Sequence, residues 1–95
     1  MIQSFKGRMT EDIFDQLNSK AARRIPKALW PVIRRKLYGL AAAHAPQDLH
    51  TPGNRLEQLG GHRKGTYSIR VNEQYRITFR FETGQAHDVC CEDYH

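Results

Sequence analysis

The sequence predicts an α+β fold, and three observations carry the prediction. Apolar residues in the first half recur at helical spacing, those in the second half alternate with polar ones, and turn-forming residues interrupt the alternation. The chain has 95 residues, about the size of one core, and no repeat or low-complexity stretch suggests a second. Residues 1–95 are therefore read as a single domain.

The elements follow in order. Residues 2–6 are apolar enough for a short starting strand. Thr10 suits an N-cap, since its hydroxyl can accept from a free backbone N–H, and Glu11 and Asp12 favour the positive end of a helix. Ile13, Phe14 and Leu17 then fall at helical spacing, predicting a short helix over 11–18. After the basic connector at 20–24, a longer helix is expected over 26–43, with Leu29, Ile33, Leu37 and Leu40 on one face. Pro26 fits its first turn; Pro31 should kink it unless regular geometry starts only near Ala28. Arg34, Arg35 and Lys36 lie off the stripe and read as a solvated face. Pro46 and the run 51–54 mark an irregular connection.

The second half carries the stronger pattern. Tyr67, Ile69 and Val71 alternate with polar residues, and Tyr75, Ile77, Phe79 and Phe81 do so again after a break, which reads as a β-hairpin. A two-residue loop at 72–73 would set Ile69 opposite Arg76, mixing core with solvent. An odd loop, most simply of three residues, restores apolar opposite apolar. The same parity argument applied to a three-residue loop at 82–84 sets His87, Val89 and Cys91 on the apolar face, with Gly84 in the left-handed position. Arg70, Arg76 and Arg80 then share the other face. Their mutual repulsion must be offset by acidic neighbours such as Glu92 or by a bound anion, for which Arg is well shaped.

Composition bounds the function. Fifteen Lys and Arg against ten Asp and Glu give a net charge of +5, which favours a polyanionic partner or an acidic protein. No run approaches the ~18 apolar residues of a membrane span, and the first residues lack the apolar core of a signal peptide. A cytoplasmic protein that neither crosses nor docks on a membrane is expected. The two cysteines, Cys90 and Cys91, are adjacent and so point to opposite faces of a strand, where a bridge would need a strained turn. They are read as free thiols packed in a reducing compartment. His87, Cys90, Cys91 and His95 crowd the end of the sequence, but His87 and Cys91 lie about 13 Å apart on an extended strand, too far for one tetrahedral metal. No metal or other cofactor is expected.

The segment GTYSIRVNEQYRITFRFETG at 65–84, the approach NRLEQLGGHRKG at 54–65, the opening MIQSFK and the final Asp93, Tyr94 and His95 together resemble the HigB-type toxins of the RelE/ParE superfamily. The resemblance implies a RelE-like fold: two N-terminal helices packed on a small, mainly antiparallel twisted sheet. It also implies a toxin that cuts messenger RNA in the A site of the 70S ribosome without a metal, the ribose 2′-OH attacking the adjacent phosphate. A HigA-type helix-turn-helix antitoxin is the implied partner, with operator DNA reached only through it.

Such chemistry needs a base, positive charge on the phosphate and an acid for the departing 5′ oxygen. The resemblance assigns His95 to proton transfer, in keeping with an imidazole that ordinarily titrates near pH 6.5; its own α-carboxylate would tend to hold it charged. Asp93 would orient His95 or accept a proton, Tyr94 would stack on a base or donate to a phosphate oxygen, and Arg76 would stabilise the phosphate. Two residues after Arg55, where some relatives use His, this sequence has Glu57, which can serve as a base but not as an acid at neutral pH. Arg63 and Lys64 are read as phosphate-positioning residues, joined at the RNA or ribosome by Arg55, His62, Arg70 and Arg80. Two other functions remain open at this point: a ParE-like toxin that binds DNA gyrase without cutting RNA, and a passive basic RNA-binding module.

Overall fold

The structure, a computed structural model, describes residues 1–94. Two helices, α1 (Arg8–Phe14) and α2 (Trp30–Ala42), pack on one face of a four-stranded antiparallel sheet. Its strands β1 (Glu57–Gln58), β2 (Thr66–Arg70), β3 (Tyr75–Glu82) and β4 (Gln85–Asp93) lie side by side in chain order. The core is the helix-facing layer: Ile33, Leu37 and Leu40 of α2 against Ile69, Ile77, Phe79, Val89 and Cys91 of the sheet, all essentially inaccessible.

The hairpin register is the predicted one. Ile69 stands opposite Ile77 and Tyr67 opposite Phe79, while Arg70 faces Arg76. Val71 and Tyr75 close a three-residue loop through a 3.0 Å backbone bond. Tyr67 and Phe79 stack with ring centroids 5.9 Å apart.

The second turn departs from expectation. Glu82 pairs with Gln85, so Thr83 and Gly84 alone form the loop, both at positive φ (51° and 76°). That is the mirror-image turn whose twist suits a tight hairpin. The changed parity puts His87 opposite Arg80 on the outer face, not on the apolar one. A β-bulge at Asp88, φ 52°, then inserts one extra residue and returns Val89 and Cys91 to the core. The bulge also turns the outer edge of β4 to the N-terminal segment, which pairs with it in parallel through two isolated bridges, Ile2 with Ala86 and Phe5 with Val89, rather than as the regular strand expected over 2–6.

The helices begin and end differently from the expectation. Thr10 does not cap α1; it lies inside it, buried, and its hydroxyl accepts the Cys91 backbone N–H at 2.8 Å. The helix stops at Phe14 because Gln16 turns left-handed, φ 63°, and the Leu17 N–H reaches back to the Asp12 carbonyl at 2.8 Å. Glycine usually marks such an ending, and glutamine gives no warning of it. Leu17 is left 49% exposed instead of joining the stripe. The region predicted as one helix over 26–43 begins as a 3₁₀ turn, Lys27–Leu29, so α2 starts at Trp30 and Pro31 falls in its first turn without a kink. Two of the three residues read as a solvated face are tethers: Arg34 Nε donates to the Ile13 carbonyl, and Lys36 Nζ donates to Gly53 and Asn54.

Candidate active site

The outer face of the sheet carries the polar half of every alternation. Cross-strand register places Glu57 beside Ser68, Ser68 beside Thr78, Arg70 beside Arg76 and Arg76 beside Glu92. Arg76 is the centre of this layer. It is only 7% exposed although it lies on the face away from the helices. Its Nε donates to the Ser68 hydroxyl at 2.8 Å, and its Nη2 donates to the Arg55 carbonyl at 2.6 Å and the Ser68 carbonyl at 3.3 Å. Arg55 turns its carbonyl inward by adopting φ 44°, a conformation that costs a non-glycine residue about 1 kcal/mol or more.

Three donor contacts thus hold the guanidinium from one side, and Nη1 stays directed at the Glu57 carboxylate, 3.6 Å away. That separation is an ion pair without a hydrogen bond, so among the described residues Nη1 keeps both N–H groups unused. Above the same guanidinium lies the Tyr94 ring, its centroid 5.4 Å from Cζ, with Tyr94 still 37% exposed. A fixed cation, an adjacent exposed carboxylate and an accessible aromatic ring are thereby brought together.

Beside this centre, Arg63 reaches from the 3₁₀ turn Gly61–Arg63 and grips Glu92 with two hydrogen bonds, 3.0 and 2.6 Å. Glu92 also accepts from the Thr78 hydroxyl at 2.5 Å. The Arg63 contact, opposed in part by burial, holds the Glu92 carboxyl below its ordinary range and raises Arg63. A cleft of about 390 Å³ opens next to them, lined by Lys6, His62, Arg63, Thr66, Thr78 and Arg80. Arg80 stands at its far end, 44% exposed, and is paired with both Glu82 and Asp88.

Repulsion among the arginines is therefore relieved largely by carboxylates: Glu57 at Arg76, Glu92 at Arg63, Glu82 and Asp88 at Arg80. Arg70 has no ion pair among the described residues, and it helps, after burial and Arg35, to push the nearby Lys36 ammonium below its ordinary value. A net positive field remains at that end of the sheet.

The sequence-predicted residues divide accordingly. Arg76, Glu57, Tyr94 and the Arg55 carbonyl converge, and Arg70 and Arg63 border them. His62 and Lys64 are exposed on the approach loop, and Arg80 is displaced along the strand. Asp93 pairs in register with Tyr75 and accepts from Gln74 at 3.0 Å, on the side of the strand opposite Tyr94 by alternation. His95 lies outside the described residues. Ser68 and Thr78 are the participants that sequence reasoning left without a role, and Glu92, expected only as an acidic neighbour of the arginines, turns to Arg63 instead; the signal for all three is the register, which sets them among the arginines. Cys90 and Cys91 are free thiols on opposite faces, and burial raises both, Cys91 to about 12.

A family model described as the RelE-like toxin of the type II toxin–antitoxin system HigB matches residues 3–95. The chain is 42% identical over 87 residues to Toxin HigB-1 of Vibrio cholerae serotype O1, spanning 90% of each protein. It is 32% identical over 95 residues to Endoribonuclease HigB of Proteus vulgaris, spanning the whole of both. Among solved structures it resembles the YoeB–YefM complex from Staphylococcus aureus, with a TM-score of 0.63, 15% identity and coverage of 100% of this chain and 98% of that one. A YoeB/ParE toxin from Agrobacterium tumefaciens matches with a TM-score of 0.62 and 14% identity over the full length of both. Identities that low report a shared fold.

Proposed function

The chain belongs to the HigB-like family of RelE-like toxins of type II toxin–antitoxin systems, and from that premise we propose that it is an endoribonuclease that cuts messenger RNA on the ribosome by 2′-OH attack, without a metal. The observation that carries the reading is Arg76: a cation fixed by Ser68 and Arg55, with one nitrogen left unused beside a carboxylate. Charge that develops on a phosphorane is best stabilised by donors already held in place, because nothing then has to reorganise during the reaction.

The roles follow from the layout. Nη1 of Arg76 donates to a non-bridging phosphate oxygen. Glu57, exposed next to it, takes the proton from the 2′-OH. Tyr94 stacks on a base flanking the scissile bond, which holds the nucleotide splayed for in-line attack. His95 is assigned the proton delivered to the departing 5′ oxygen, on its match to the family ending, and Asp93 its orientation. Lys64, His62, Arg55 and Arg70 supply sequence-independent contacts to phosphates of the message or of ribosomal RNA. An antitoxin of the helix-turn-helix type silences the toxin in the cytoplasm, presenting an acidic surface to a protein of net charge +5.

The test is cleavage of a defined mRNA on purified, programmed ribosomes. Wild-type protein cuts. Arg76→Lys keeps a charge but loses the planar fork, and its rate falls by about 10²–10³. His95→Gln falls comparably without loss of fold by circular dichroism. Undiminished cleavage by Arg76→Lys contradicts the reading.

A further inference from the structure

The Arg63–Glu92–Thr78 chain has a role that the chemistry above leaves open. Glu92 is directly opposite Arg76 in the sheet, yet its carboxylate is turned to Arg63, with both oxygens engaged. Thr78 braces it from the neighbouring strand. The approach loop, with Lys64 and His62 exposed on it, is thus bolted to β4 two residues before Tyr94. Two of Arg63's five N–H groups are spent on Glu92, which leaves three, and the residue lines the cleft along the outer face.

We propose that Glu92 is a positioning residue, whose carboxylate aims the remaining Arg63 N–H groups at an RNA phosphate flanking the one held by Arg76. The proposal rests on the ribonuclease reading and adds a second phosphate subsite to it. Arg63 and Glu92 together carry no net charge, so the subsite works through directed hydrogen bonds and not through field strength. Breaking the pair therefore separates two accounts. Removing a negative charge beside an RNA site should tighten binding if only the field matters. It should weaken binding if Arg63 has to be aimed.

Steady-state cleavage of mRNA on programmed ribosomes distinguishes them. Glu92→Gln keeps the Thr78 contact and one bond to Arg63, and its KM rises about three- to tenfold with kcat changed less than about twofold, the pattern for lost uniform binding. Arg63→Lys retains the charge, loses the fork and raises KM similarly, with its fold checked by circular dichroism. Arg63→Ala combined with Glu92→Gln is no worse than Arg63→Ala alone, because the two act as one unit. A KM that is unchanged or lowered in Glu92→Gln or Arg63→Lys, or effects that add in full, overturns the proposal while wild-type cleavage stands. A wild-type protein that cuts nothing overturns the ribonuclease reading, and this subsite with it.

Discussion

Arg76 shows how much a single side chain can ask of its surroundings. A guanidinium at 7% exposure needs acceptors, and the structure supplies Ser68, the Arg55 carbonyl and, at longer range, Glu57. Arg76 stood out as a candidate in the sequence; the supporting roles of Ser68 and the Arg55 carbonyl were not legible there. Ser68 reads there as the polar half of an alternation, and the inward carbonyl of Arg55 depends on a left-handed backbone that no arginine advertises. Glu92 was visible as an acidic neighbour, but its partner is Arg63, 29 residues away in the chain, a contact that only the folded sheet creates. That pairing carries a pH signature. Arg63 lowers the Glu92 carboxyl relative to the unfolded chain, so the pair stabilises the fold above the ordinary glutamate range and that contribution is lost as pH falls through the lower, folded value. Glu92 is partly exposed, and solvent screening keeps the effect small. Urea unfolding between about pH 6 and 3 should therefore show a steeper acid loss for wild type than for Glu92→Gln. Equal slopes would remove the ion pair from the stability of the protein.

At the scale of elements, hydrophobic parity proved a sound guide wherever it ran across a whole strand pair. It placed Ile69 against Ile77 through the odd loop between β2 and β3. It failed at the next turn because two local irregularities cancel: a two-residue loop shifts the alternation, and the Asp88 bulge shifts it back. Val89 and Cys91 end on the core face by either route; Ala86, brought into the core opposite Phe81, and His87, moved to the outer face, betray the difference. Likewise the end of α1 is set by Gln16, whose conformation has no compositional mark. The tight turn makes its own prediction. Gly84 holds φ 76°, and a Cβ there would meet only the His44 carbonyl at an ordinary 3.6 Å. The cost of Gly84→Ala is therefore conformational rather than steric, about 1–2 kcal/mol. Chemical denaturation measures it; an unchanged midpoint would mean that the hairpin tolerates a different loop.

The whole molecule separates its labours by face. Helices and apolar strand positions build one side, and nearly every group assigned to RNA lies on the other or along its rim. This division was legible from the outset, because the two periodicities that mark the halves of the chain also dictate which side of the sheet is left polar. Among the described residues no helix is long and apolar enough to cross a membrane, and the net charge of +5 suits a polyanion. Charge alone would equally suit a protein that binds RNA and leaves it whole, and the fold alone would suit a relative with a different target. What distinguishes them is the fate of one phosphodiester bond. The most direct measurement is the chemistry of the ends left when purified protein meets mRNA on programmed ribosomes. Attack by the neighbouring 2′-OH leaves a 2′,3′-cyclic phosphate and a 5′-OH, with no cutting of the same RNA when ribosomes are omitted. Products bearing 5′-phosphate, or intact message despite bound protein, would contradict the account.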